Sequence, residues 1–151
     1  MKKITLLVAM LFATLSISQI EQNIKIVEID ADQTATDDME FLEILTESSN
    51  QSLNGYIVVF YNGNSDQSYR TLDLTGFTSD SNGYFIIGSD LFPGADIIMG
   101  PDNTIQNGAD AIAIYSADAA NFPDGTSVTS SGLVDAVVYG TSDDDDLELL
   151  A

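Results

Sequence analysis

The stretch YIVVFYNG, residues 56–63, decides the fold class: Tyr56 to Tyr61 are apolar without interruption, and the run stops on Asn62-Gly63. It is too short for a helix and made of the β-branched and aromatic residues that favour a pleated strand. Asn-Gly then supplies the positive φ values that tight turns use. An apolar side chain at every position suits a central strand buried on both faces, so the strands beside it should show the alternation that this one lacks.

Working outward, the same pattern of short Ile-, Val-, Tyr- and Phe-rich runs repeats. It predicts strands at Ile24–Ile29, Glu40–Thr46, Tyr56–Tyr61, Tyr69–Leu74, Gly83–Gly88, Asp96–Met99, Ala111–Tyr115 and Leu133–Tyr139. Asn54-Gly55, Asn82-Gly83, Asn107-Gly108 and Asp124-Gly125 mark further strand ends, and no helical period persists. About eight strands in one chain of this size make an all-β sandwich. In the last run Asp135 lies among apolar neighbours, where a carboxylate requires hydrogen bonds, most simply from backbone amides at a sheet end.

The N-terminus reads as an export signal. Lys2 and Lys3 precede an apolar run from Ile4 to Leu15, and Ser16 and Ser18 occupy the small-residue positions of a cleavage site, which places cleavage after Ser18. The uncharged stretch Ile4–Ser18 is shorter than the ~20 residues of a membrane-spanning helix, and no Cys follows it to carry a lipid. The expected organisation is a signal peptide (1–18), a β-sandwich (19–140) and an acidic tail (141–151), in a secreted or periplasmic protein. The tail holds Asp143–Asp146 and then an apolar ending, Leu147-Glu148-Leu149-Leu150-Ala151.

The chain has 24 acidic and 4 basic residues, a formal charge of −20. Removing residues 1–18 takes away Lys2 and Lys3 and no acid, so the charge becomes −22, with Lys25 and Arg70 as the remaining cations. Nucleic-acid binding rests on a basic footprint, and two basic side chains do not make one. Anionic membrane surfaces are disfavoured likewise, whereas divalent cations and basic partners are attracted. The absence of Cys and His excludes disulfides, Cys/His zinc sites, Ser-His-Asp and Cys-His nucleophiles and any imidazole base.

Six pieces of the chain, in order, carry a resemblance to the lamin-tail domain in the form found on secreted bacterial proteins. Ile26-Val27-Glu28-Ile29 resembles the family's opening I-N-E-I strand, and Asp38-Met39-Glu40-Phe41-Leu42-Glu43-Ile44 its D-x-E-F-I-E-L strand. Leu53-Asn54-Gly55-Tyr56 is similar to L-x-G-W, and Gly83-Tyr84-Phe85-Ile86-Ile87 to G-Y-F-V-I. The stretch Gln106 to Tyr115 resembles N-G-x-D-x-V-x-L-Y, and Val134 to Gly140 resembles I-D-x-V-x-Y-G. Val27 replaces the usual Asn and Tyr56 the usual Trp. The resemblance spans residues 24–140 and implies an immunoglobulin-like β-sandwich serving as a non-catalytic module, of a kind often attached to secreted nucleases, phosphoesterases or adhesion proteins.

The densest acidic stretch is the connection between the first two predicted strands. Calcium takes six to eight oxygens, and Asp30, Asp32, Asp37, Asp38 and Glu40 offer many within one connection. The EF-hand spacing fails, because counting from Asp30 puts Ala35 where Gly is required and Phe41 where the bidentate Glu should stand. Asp30, Asp32, Asp37 and Asp38 are therefore the candidates for an irregular calcium loop, set against a merely solvated acidic connection. Glu28 and Glu43 become cross-strand neighbours if the first two strands pair. With no Trp to stack a sugar, a glycosidase pair there has little else to support it. Arg70 is expected to neutralise Asp66 or Asp73, and the tyrosines to pack in sheets.

The function expected from the sequence is a non-catalytic extracellular binding or accessory module, with a protein or extracellular polymer as partner. The alternatives are a calcium-stabilised adhesion domain and a fragment of a larger secreted nuclease or phosphoesterase. An unpaired edge strand would permit a dimer.

Overall fold

The computed structural model describes residues 24–34 and 36–140; the expected signal peptide and the acidic tail lie outside them. The eight strands are β1 (Ile24–Asp30), β2 (Phe41–Thr46), β3 (Tyr56–Asn62), β4 (Gln67–Asp73), β5 (Tyr84–Gly88), β6 (Ile97–Ile98), β7 (Asp110–Ser116) and β8 (Leu133–Tyr139). One turn of 3-10 helix, Ala119–Asn121, follows β7, and no α-helix occurs among the described residues. The strands form two four-stranded sheets, ordered β1-β2-β5-β6 and β4-β3-β7-β8. The fold is thus the expected all-β sandwich. Neighbouring strands are antiparallel except for the short β5–β6 pair.

The inter-sheet core follows from strand parity. Leu42 and Ile44 of β2 with Phe85 and Ile87 of β5 face Val58 and Phe60 of β3 with Ile112 and Ile114 of β7. Removing each such side chain from water contributes about 1.5–3 kcal/mol. The uninterrupted run on β3 has its reason on the other face, where Ile57, Val59 and Tyr61 join Ala111, Ala113, Tyr115 and Phe122 in a second cluster. The β7–β8 connection, residues 117–132, lies over that face as a third layer. The Ser68 and Thr71 hydroxyls of β4 donate to the Pro123 and Phe122 carbonyls (3.0 and 2.7 Å), and the Tyr115 hydroxyl donates to the Thr129 carbonyl (2.7 Å). The same cover corrects one expectation: β7, a neighbour of β3, does not alternate, and its residues Asp110–Tyr115 are all buried.

Two irregularities place side chains that matter below. A register shift between Ile26 and Glu28 bulges β1, so that Ile24 and Ile26 point into the core while Glu28 pairs with Glu43. Val27, the extra residue, is 44% exposed. The bulge leaves the Ile26 N–H directed at the opposite sheet, where the Asp135 carboxylate of β8 accepts it at 2.7 Å. The hydrogen bond expected for Asp135 is therefore made, and it ties the edges of the two sheets together. In the β3–β4 turn the left-handed residue is Asp66 (φ 51°), downstream of the Asn62-Gly63 pair expected to supply it.

Candidate functional site

The buried carboxylates, Asp37, Glu40 and Asp110, gather at one end of the sandwich, where β1, β3 and β8 end and β2 and β7 begin. Glu40 and Asp110 enter it from opposite sheets. Glu40 shares parity with Leu42 and Ile44, and Asp110 with Ile112 and Ile114, so both carboxylates point between the sheets; their exposures are 0% and 1%. Glu40 accepts hydrogen bonds from the Thr104 N–H, the Thr104 hydroxyl (2.8 Å) and the Ile105 N–H (3.1 Å). It thereby pins the β6–β7 connection. Asp110 accepts the Gly63 N–H at 2.8 Å and fixes the β3–β4 turn.

Around this pair lies a lattice of neutral polar groups. The Gln106 N–H donates to the Tyr69 hydroxyl (3.2 Å), the Tyr139 hydroxyl donates to the Gln106 carbonyl (2.9 Å), and Asn62 Nδ2 donates to Gln106 Oε1 (2.6 Å). Burial pushes both phenols to higher pKa, and for Tyr139 the neighbouring Tyr69, Asp110 and Glu40 add to the shift. Both hydroxyls therefore stay protonated as fixed donors and acceptors.

The four candidate calcium ligands do not come together. Asp37 is buried, and its carboxylate accepts the Asn107 side-chain amide (2.7 Å) and the Gln33 N–H (2.8 Å). The Asn107 bond first, and the Gln33 bond second, hold it below the usual carboxylate range. Asp38 is half-buried, with its carbonyl accepting the Ser89 hydroxyl at 2.6 Å; Asp30 ends β1 half-buried and Asp32 is exposed. Among the described residues no three acidic side chains form a group that could hold a metal ion.

Glu28 and Glu43 are cross-strand partners as expected, but on the outer face of a sheet and not across a cleft. Partial burial raises the Glu43 pKa, with the Glu28 and Asp80 charges adding to it. Arg70 donates Nη1 to the Met99 carbonyl at 3.3 Å, joining the β4 edge to the end of β6 in place of the expected bond to Asp66 or Asp73. At the far end of the sandwich an open groove of about 440 Å³ is lined by Gly55, Asp73, Thr75 and Ser116 to Ala119. There Asp73 is held low by its hydrogen bonds with Thr75. A second hollow of about 450 Å³ lies between Lys25, Leu45, Thr46, Glu47 and Asn82.

In the sequence, Glu40 stands out as a calcium oxygen and a motif position, and Asp110 only within a motif; neither reads as a buried anchor. Strand parity was the signal available for both. No protein-family model, curated protein or solved structure matches the chain. The lamin-tail resemblance stands on the sequence motifs alone.

Proposed function

We propose that the protein is a secreted, non-catalytic binding or accessory module of lamin-tail type, with a protein or extracellular polymer as its partner. One observation carries this reading. The inward carboxylates Glu40, Asp110 and Asp135 each accept a backbone N–H from a distant part of the chain, from Thr104 and Ile105, Gly63 and Ile26 in turn, and Asp37 accepts the Gln33 N–H within its own connection. Such carboxylates hold loops to a scaffold. A second set, including Asp32, Asp66, Asp90, Asp102 and Asp124, stands exposed. A rigid sandwich with an acidic surface selects cationic or neutral partners and repels nucleic acid and anionic lipid. The ordered motifs and the export signal add family type and compartment.

The test is expression of the full chain in a bacterial host. Export with cleavage after Ser18, shown by intact mass, and no turnover of phosphodiester substrates by the purified protein are the expected results. Uncleaved protein in the cytoplasm, or hydrolysis that follows the monomer through purification, would overturn the reading.

A further inference from the structure

The two sheets differ in what covers their outer faces. Residues 117–132 lie over the β4-β3-β7-β8 sheet, whereas among the described residues the β1-β2-β5-β6 sheet is covered only at one corner. There Phe92 stacks on Phe41, ring centroids 4.3 Å apart, and fills the space above Gly88, where an added Cβ would lie 3.1 Å from it. Beyond that corner the outward positions of β2 and β5 are Glu43 and Leu45 opposite Ile86 and Tyr84. Tyr84 is 38% exposed, Ile98 on the adjoining β6 55%, and Leu91 in the β5–β6 connection 60%. The hollow between Lys25, Leu45, Glu47 and Asn82 opens at the Leu45 end of the same face.

The charges around this surface are nearly all of one sign. Glu28 stands directly beside Glu43 in the β1–β2 register, and Glu43 senses the Asp80 charge as well. Glu47 borders the hollow, Asp96 holds the β5 edge through the Ile86 N–H (2.8 Å), and among the described residues Lys25 is the one cation there. A partner that covers Leu45, Tyr84, Ile86 and Ile98 must bring apolar side chains for the centre and positive charge for the Glu28–Glu43 pair. A second copy would set carboxylates against carboxylates in a chain of net charge −20.

We propose that this face docks a basic peptide segment of a partner protein, one that presents Lys or Arg and aliphatic or aromatic side chains together on one face. This rests on the binding-module reading and names the partner's chemistry. An extended segment presents alternate side chains to one face at about 6.6–6.8 Å spacing, the spacing of Leu45 to Glu43 and of Tyr84 to Ile86 along their strands. Its apolar residues reach Leu45, Tyr84, Ile86 and Ile98, and its cations the carboxylates beside them.

The mature full-length protein is titrated with a synthetic peptide of about ten residues repeating Lys-Ser-Val-Ser, which sets Lys and Val on one face (Lys–Val), with a Lys-Ser-Ser-Ser peptide of equal charge (Lys–Ser) and with a Glu-Ser-Val-Ser peptide (Glu–Val). The Lys–Val peptide should bind about tenfold tighter than Lys–Ser, and Glu–Val not at all. The double variant Glu28→Gln/Glu43→Gln should weaken Lys–Val binding about fivefold. Asp66→Asn/Asp124→Asn, which removes the same charge elsewhere, should leave it within about twofold. Equal losses in the two double variants, or equal affinity for Lys–Val and Lys–Ser, would mean diffuse attraction and overturn the proposal. So would concentration-dependent self-association abolished by Ile98→Ser, or a gain in peptide affinity on deleting residues 141–151, since either assigns the face to this chain itself. Failed export or phosphodiester hydrolysis would sink the module reading without altering these affinities, so the two failures are distinguishable.

Discussion

Replacing Glu40 with Ala should destabilise the protein by about 3–5 kcal/mol, because the substitution strands donors that water does not reach. The Glu40 carboxylate takes the N–H groups of both Thr104 and Ile105 and the Thr104 hydroxyl, and all three residues are buried. The hydroxyl can rotate to another acceptor, but the two amides cannot. Each abandoned buried amide costs about 1–3 kcal/mol, and the void left by the side chain adds to that. A domain of this kind is stable by about 5–15 kcal/mol, so the loss is a large share of the total. Glu40→Gln keeps one acceptor oxygen and turns an NH2 toward the remaining donor, which should cost about 1–2 kcal/mol. Urea unfolding measures both: the midpoint should fall from wild type to Gln to Ala with the slope m unchanged. An Ala variant within about 1 kcal/mol of wild type would refute the reasoning, since the β6–β7 connection would then not depend on Glu40.

Three further outcomes follow from the same geometry. Asp135→Ala should cost about 1–2 kcal/mol and speed hydrogen exchange at Ile26, whose N–H donates to Asp135 at 2.7 Å, while Asp135→Asn should lose less; unaltered exchange at Ile26 in the Ala variant would remove Asp135 as the tie between sheets. Glu43→Gln should stabilise by about 0.2–1 kcal/mol at pH 7. The folded state raises the Glu43 pKa above its ordinary 4.5, so ionisation there opposes folding at neutral pH, and this penalty fades as pH falls through the folded value and below 4.5. The gain should therefore be absent at acid pH, and an equal gain at both pH values would contradict the Glu28–Glu43 repulsion. Calcium and magnesium at equal concentration should move the melting temperature equally, by screening alone; a rise specific to calcium and reversed by chelator would show that Asp30, Asp32, Asp37 and Asp38 do gather around an ion.

The strands were legible because the core enforces their patterns. β2 alternates buried and half-buried positions throughout, and the run at β3 told correctly of burial on both faces. What covered the second face of β3 was not legible. Residues 117–132 read as turn residues with a few scattered apolar positions, and their packing depends on Phe122 meeting Tyr115 at 4.7 Å between ring centroids, a contact set by tertiary structure. The bulge at Val27 was likewise hidden, since Ile26, Val27 and Ile29 are all apolar and only pairing reveals where the phase changes. Its consequence, the Asp135 bond, was half legible: the carboxylate's need was clear from parity, but not the donor.

The candidate site was misjudged for a reason that generalises to acidic chains. Carboxylate density pointed to residues 30–38, yet density measures how many acids share a loop, not which way they face. Parity measures direction, and at Glu40 it conflicted with chemistry: an acid in phase with Leu42 and Ile44 has to enter the core or break the strand. It enters, and two backbone amides from 64 and 65 residues away make that tolerable. Asp110 repeats the arrangement on the other sheet, in phase with Ile112 and Ile114, with Gly63 as donor. In a chain of charge −20 the acid out of place with its surroundings is the informative one, and here both such acids close loops at the same end of the sandwich. The acids in keeping with their surroundings are left to set the surface potential, which disfavours anionic partners.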